Sequence, residues 1–171
     1  MNSQNLDIYN IILNTEFSEY LSDDTIKELS NIMSIVSYDK SSKLYIKNNK
    51  IIKFLILQSG RCQLIDNNQN VIRELYANDF FGLISLFTNS SKNYDLIALE
   101  ETTTIELNKK DLIDLTEKFP NIKKELLKVV NKQLFNPEIN AALGTIAKGV
   151  DEETIEELKK DISWKTLNDS E

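Results

Sequence analysis

The most informative segment of this sequence reads Asn78-Asp79-Phe80-Phe81-Gly82-Leu83-Ile84-Ser85-Leu86. It begins with two residues that favour turns, and it continues through a glycine into an apolar run. An earlier strand-like run also ends in glycine, and it reads Phe54-Leu55-Ile56-Leu57-Gln58-Ser59-Gly60. The simplest role for one set of large apolar side chains is core packing. These residues are Phe80, Phe81, Ile84, Leu86 and Phe87.

Short β-favouring runs surround this segment at regular spacing. They are rich in β-branched, aromatic and aliphatic residues, and polar turn residues such as Asp66-Asn67-Asn68-Gln69-Asn70 separate them. About eight short strands of this kind are typical of a β-sandwich, roll or barrel. The predicted strands include residues 36–38, 44–46, 54–57, 61–66, 71–75, 93–99 and 102–107.

Helical patterns precede the predicted strands. Apolar residues at close to helical spacing predict a first helix over residues 6–15. Ser22 is placed to cap a second helix, because Asp23 and Asp24 follow it and the positive end of the helix dipole favours acidic residues. The pattern predicts two helices before the β-body.

Helical patterns also follow the strands. Asn108 is placed to cap a helix that ends at Phe119-Pro120, since proline disfavours helical geometry in the residue before it. Asn121 is then placed to cap a helix that continues to Leu134. Together with the β-body, these patterns predict one domain over residues 1–135. Residues 136–171 are predicted to form a helical tail or linker. The predicted fold class is mainly β with flanking helices (α+β).

The composition excludes most catalytic and metal-binding chemistry. The chain has no histidine and one cysteine, so histidine-dependent triads and the usual zinc ligand sets cannot be assembled. Carboxylate-only catalysis stays open as an alternative through Glu100-Glu101 and Asp151-Glu152-Glu153, although solvated surface charge explains both groups. We predict no catalytic residues, no metal site and no enzyme activity.

The net charge and the hydropathy pattern limit the classes of partner that the chain could bind. A net charge of −7 and a pI near 4.8 disfavour binding to a phosphate backbone. The polar N-terminus precedes no apolar stretch of about 20 residues, the length that a membrane span needs. Cys62 lies in an apolar run, which favours a small buried side chain in a reducing compartment. We expect a cytoplasmic protein, or the cytosolic part of a larger one, with no nucleic-acid partner and no membrane insertion of its own.

Residues 10–135 resemble the cyclic nucleotide-binding domain. The family has N-terminal helices, a β-roll of the double-stranded jelly-roll type and C-terminal helices. In its motif, Gly-Asp-x-Phe-Gly-Glu leads into one helical turn, and an arginine follows nine residues after the glutamate. The chain fits this motif without a gap, but Leu83 takes the glutamate position and Lys92 the arginine position. Gly60 and Gly82 keep two of the family's turn glycines, whereas Ser41 and Asn78 replace two others.

The resemblance implies a candidate ligand site at Gly82, Leu83, Lys92 and Asn93. In the family the glutamate binds the ribose hydroxyl and the arginine pairs with the cyclic phosphate. Leu83 accepts no hydrogen bond, and lysine lacks the two-pronged donor set of arginine. Lys92 can also be read as an exposed loop lysine, and Asp95 as a source of repulsion. We therefore predict a degenerate pocket and no cofactor, with a cyclic nucleotide as the alternative.

These features favour a non-catalytic regulatory or interaction module that is accessory to a larger assembly. The hairpin Leu57–Asp66 resembles that of the regulatory N-terminal domains of bacteriocin-processing ABC transporters, which suggests a role in transport. The alternative is a true sensor of a cyclic nucleotide or another small anion that moves its C-terminal helices on binding. A transcription regulator is the third choice, since the tail lacks a basic recognition helix.

The predicted helix from Asn121 to Leu134 is the candidate partner surface. Ile122, Leu126, Val129 and Val130 line one side of it, while Leu127 and Leu134 fall away from that side. Packing of a single helix face against the roll is therefore not expected to bury all of these apolar residues. The resemblance implies a dimer interface here, because the equivalent helix in the family often forms one. We predict self-association or a protein partner at these four residues. Cover by the tail within the monomer is the alternative.

Overall fold

The computed structural model describes residues 2–47, 53–83, 86 and 94–135. Two helices and a 3₁₀ turn come first, eight strands follow, and two further helices close the described part. The first elements are α1 (Ser3–Leu13), the 3₁₀ turn (Glu16–Tyr20) and α2 (Asp23–Ile32). The strands are β1 (Ser34–Tyr38), β2 (Lys43–Tyr45), β3 (Lys53–Ser59), β4 (Cys62–Asp66), β5 (Val71–Leu75), β6 (Phe80–Phe81), β7 (Tyr94–Ala98) and β8 (Thr102–Asn108). The last helices are α3 (Lys109–Lys118) and α4 (Pro120–Phe135).

The strands form two antiparallel four-stranded sheets. One sheet has the order β1-β8-β3-β6, and the other has the order β2-β7-β4-β5. β3 and β4 are joined by a tight turn at Gly60, yet they do not pair with each other and belong to different sheets. The predicted β-roll with flanking helices is therefore confirmed. The predicted tail, residues 136–171, lies outside the described residues.

Local capping chemistry sets the helix starts. The Ser22 hydroxyl accepts a hydrogen bond from the Thr25 amide at 3.2 Å, and the Asn108 side chain accepts one from the Asp111 amide at 2.8 Å. Both predicted caps are confirmed. The predicted cap at Asn121 is wrong, because α4 already begins at Pro120. Proline suits the first helical position, where its missing N–H has no helical partner anyway.

β3 is buried on both of its faces. Phe54 and Ile56 point toward the helices and belong to a cluster, called here the helix-side core, that includes residues of α1, α2, α3 and α4. Leu55 and Leu57 point the other way and belong to a second cluster between the sheets, called here the roll core. Period-two alternation of a strand therefore supplies two cores at once.

Four residues adopt left-handed backbone geometry where the family resemblance places turn glycines. Gly60 has a φ of +92° and Gly82 a φ of +97°. Asn78 and Ser41, which replace glycines of the family, have φ values of 75° and 73°. Asparagine tolerates this region, but serine pays a steric cost there. The turns thus keep the backbone shape that glycine favours.

We expect Ser41→Gly to raise the free energy of unfolding by about 0.5–1 kcal/mol, because glycine removes the Cβ strain at positive φ. Ser41 is exposed, so little packing is lost. Ser42→Gly is the matched control: its φ is not positive, so glycine there only adds entropy to the unfolded chain and lowers stability. Chemical denaturation of the three proteins measures both effects. Equal shifts of the same sign would contradict strain at Ser41.

Candidate functional site

The turn after β6 is the centre of the candidate site. The Gly82 carbonyl accepts a hydrogen bond from the Leu86 amide at 3.1 Å. A Cβ added at Gly82 would lie 2.4 Å from the Tyr45 hydroxyl and 2.8 Å from the Lys53 carbonyl oxygen. Both the positive φ and this close approach require glycine. The backbone geometry and the close packing of this turn therefore explain why residue 82 is a glycine.

Tyr45 connects this turn to the roll core. Its hydroxyl donates to the Lys53 carbonyl at 2.8 Å and lies 3.3 Å from the Phe81 carbonyl oxygen. Its ring centroid is 5.5 Å from that of Phe81, whose ring in turn is 5.8 Å from that of Tyr94. Burial raises the pKa of Tyr45 well above its ordinary value, so the phenol stays a neutral donor. The three rings fill the roll beside the turn.

Leu83 occupies the glutamate position of the family motif, and it is buried. Its exposed fraction is 2%, and it belongs to the helix-side core together with Leu86. Its side chain packs in the same cluster as Phe54 and Ile56 of β3. The side chain of residue 83 therefore offers a ligand no hydrogen-bond acceptor. The side chain instead contributes apolar burial to the core.

A polar cluster lies on the face of the first sheet that points into the roll. Lys53 and Glu106 form an ion pair with Nζ and Oε1 3.2 Å apart, and their side chains are only 21% and 12% exposed. The Tyr38 hydroxyl donates to Glu106 at 2.6 Å and accepts from the Lys53 ammonium at 2.6 Å. The Thr104 hydroxyl donates to Glu106 at 2.7 Å. Burial, followed by the hydrogen bond to Glu106, raises the pKa of Tyr38.

The charge of Asp95 is compensated within the fold. Asp95 lies between the inward-facing Tyr94 and Leu96, so its side chain points to the outer face of the sheet. Its carboxylate accepts from the Lys47 amide at 2.8 Å and pairs with the Lys43 ammonium at 3.2 Å. Burial alone would raise its pKa, but these partners outweigh burial and lower it. The predicted repulsion of a ligand by Asp95 therefore has no support in this geometry.

The other predicted site residues divide into two groups. Lys92 and Asn93 lie outside the described residues, so their role stays a prediction. The four candidate interface residues of α4 are buried in the helix-side core, with exposed fractions of 0–4%. They are Ile122, Leu126, Val129 and Val130. Leu127 is not part of that cluster, as expected for a residue that falls away from this side of the helix, but it is only 6% exposed and is therefore also buried. The four form no exposed surface in the described part, and self-association through this helix stays a prediction.

Sequence reasoning missed Tyr45, Lys53 and Glu106 as parts of this region. No signal in the sequence pointed to Glu106, because it alternates with Ile105 and Leu107 as a solvent-facing residue of a half-buried strand does. Within residues 2–47, 53–83, 86 and 94–135, no group of three or more Cys, Asp or Glu side chains could hold a metal ion. In the same ranges no helix has the length and apolar character to cross a bilayer.

Residues 35–119 match the family model described as the cyclic nucleotide-binding domain. This match covers all eight strands, apart from the first residue of β1, and the whole of α3, and it confirms the resemblance predicted from the sequence motif. The fold of the chain is therefore the cyclic nucleotide-binding fold, with antiparallel sheets and flanking helices.

Individual relatives agree with this result. The cAMP-dependent protein kinase regulatory subunit of Candida albicans is 26% identical over 94 residues, which cover 55% of this chain and 20% of the relative. The chain thus spans about a fifth of that protein. A relative from Debaryomyces hansenii is also described as a cAMP-dependent protein kinase regulatory subunit.

Two solved structures share the fold at low sequence identity. One is the regulatory subunit of a cAMP-independent protein kinase A from Trypanosoma cruzi bound to guanosine, with a TM-score of 0.69, 14% identity, and coverage of 86% of this chain and 52% of that one. The other is a putative cyclic nucleotide-binding protein from Geobacter metallireducens, with a TM-score of 0.62, 17% identity, and coverage of 85% and 98%. At these identities the structures support the fold alone.

Proposed function

We propose that this chain is a non-catalytic regulatory module that has the cyclic nucleotide-binding fold but does not bind cyclic AMP or cyclic GMP tightly. The burial of Leu83 in the helix-side core is the observation that carries this proposal. A ribose hydroxyl placed at residue 83 would lose its hydrogen bond, at a cost of about 1–3 kcal/mol. Lys92 in the arginine position removes the paired donors that match a phosphate.

Interior side chains support a fold that is stable without a ligand. Tyr45, Phe81 and Tyr94 pack beside the turn, and Lys53 and Glu106 neutralise each other inside the roll. Leu83 gains burial from the same helices that pack on β3. A domain with these contacts needs no bound nucleotide to complete its core.

The function would then be exerted through a protein partner. The matched relatives are kinase regulatory subunits, which favours a partner such as a kinase. An accessory role in a transport assembly, as in the bacteriocin-processing transporters, is the second partner class that the hairpin Leu57–Asp66 suggests. The module acts in a larger assembly in either case.

A sensor of a different small ligand is the alternative function. The Trypanosoma cruzi relative is described as cAMP-independent and bound to guanosine, a nucleoside without a phosphate. A ligand of this class would need no arginine at position 92. It would shift the C-terminal helices only if it bound one of their arrangements more tightly.

Thermal denaturation in the presence of ligand tests the proposal. Cyclic AMP or cyclic GMP at millimolar concentration should leave the melting temperature unchanged. A ligand at 100 times its Kd would add about 2.7 kcal/mol, or a rise of about 5–10 °C for a domain of this size. A cyclic nucleotide-binding protein with the usual glutamate and arginine serves as the positive control. A saturable rise of the melting temperature with either cyclic nucleotide would overturn the degenerate pocket. A saturable rise with guanosine would instead support the alternative function.

A further inference from the structure

The start of α2 is capped by a residue from another helix. In a capping box, the N-cap hydroxyl accepts from the amide three residues later, and a glutamate at that later position accepts from the N-cap amide. Ser22 fulfils the first half of this pattern with the Thr25 amide at 3.2 Å. Residue 25 is threonine, however, so the second half cannot come from α2 itself.

Glu125 of α4 supplies the missing half. Its Oε1 accepts from the Ser22 amide at 2.9 Å, although the two residues are 103 positions apart. Its Oε2 accepts from the Thr25 hydroxyl and lies 3.4 Å from the Ser22 hydroxyl. Thr25 is only 3% exposed, so this oxygen meets its donor away from bulk solvent. One carboxylate thus accepts from two donors at the N-terminus of a helix that is separated from it by the whole β-body.

The two helices also contribute to one apolar cluster. Leu126 and Val130 of α4 belong to the helix-side core together with Ile26 and Leu29 of α2. Docking of α4 therefore buries an apolar stripe and places Glu125 on the cap in one arrangement. If α4 leaves, the Ser22 amide and the Thr25 hydroxyl lose their acceptor together.

We propose that Glu125 is a conformational latch, through which the docked state of α4 controls the order of the first turn of α2. The latch relays the position of the last described helix to the N-terminal helices without passing through the roll. It goes beyond the proposed function and does not depend on it, because neither half of the contact involves the turn at Gly82. A partner that displaces α4 would also loosen α2.

Hydrogen exchange of the full chain tests the latch. Glu125→Ala should accelerate exchange of the amides of residues 22–26 by about tenfold, the loss expected for a helix cap. Glu125→Gln keeps one carbonyl acceptor and should give a smaller acceleration. Glu117→Ala is the matched control, because Glu117 is an exposed glutamate of α3 and should leave these amides unchanged.

A rescue variant separates capping from general loss of stability. Thr25→Glu in the Glu125→Ala background restores a capping box within α2, so the amides of residues 22–26 should regain protection while those of α4 do not. Two results would overturn the latch. One is exchange at residues 22–26 within twofold of the unaltered protein after Glu125→Ala. The other is an equal acceleration in α2 and in β3 that the rescue variant fails to reverse.

Discussion

Leu83→Glu should lower the free energy of unfolding by about 4 kcal/mol at neutral pH. The substitution removes an apolar side chain that is 2% exposed, and it places a carboxylate in the helix-side core. Leu83→Met is the control, since a swap of similar volume should cost less than about 1.5 kcal/mol. Denaturant titration of both variants measures the difference. A loss below 1 kcal/mol for the glutamate variant would mean that this side chain reaches solvent or the roll interior.

The pH dependence of the same variant has a defined sign. Burial raises the pKa of the introduced carboxyl in the folded state above its unfolded value of about 4.3. The part of the penalty that comes from ionisation is therefore absent below the unfolded pKa, grows as the pH rises through the window between the two values, and is complete above the folded pKa, whereas the loss of apolar burial persists at every pH. The difference in melting temperature from the unaltered protein should be smaller at pH 4 than at pH 7.

Glu106→Leu should cost about 3 kcal/mol, because it leaves the Lys53 ammonium without its counter-ion in a site that is only 21% exposed. The Tyr38 and Thr104 hydroxyls lose their acceptor as well. Lys53→Met should also be destabilising. The double variant should cost clearly less than the sum of the two, since it leaves no charge unpaired.

A surface ion pair gives the matched control for this cycle. Lys27 and Asp23 lie 2.8 Å apart on α2, but their side chains are 50% and 56% exposed. Lys27→Ala should therefore produce little measurable change. Additive losses from Lys53→Met and Glu106→Leu would show that the two residues act independently and that the cluster is not a coupled pair.

Features that depend on nearby residues could be predicted from the sequence. The caps at Ser22 and Asn108 require only a side chain and an amide three residues later. The left-handed turns at Ser41 and Asn78 follow from the family motif, which places glycine there. The start of α4 was misplaced by one residue because both Pro120 and Asn121 favour a helix N-terminus, and proline took the first helical position.

Features that depend on distant residues could not be predicted. The motif shows that Leu83 replaces a glutamate, but it does not show that the side chain turns into the helix-side core. The pairing of Lys53 with Glu106 joins two strands that are far apart in the sequence, and Glu125 reaches Ser22 across the β-body. Periodicity identifies the buried face of an element, whereas the partner across that face is set by tertiary packing.

The two-sided burial of β3 bears on how the domain unfolds. Phe54 and Ile56 pack in the helix-side core, while Leu55 and Leu57 pack in the roll core. Loss of either core would therefore expose one side of the same strand. The helices and the roll should therefore melt as one cooperative unit, with no populated state in which the roll survives alone. A displacement of α4 must then be a local rearrangement during which the other helices of the helix-side core stay packed on β3.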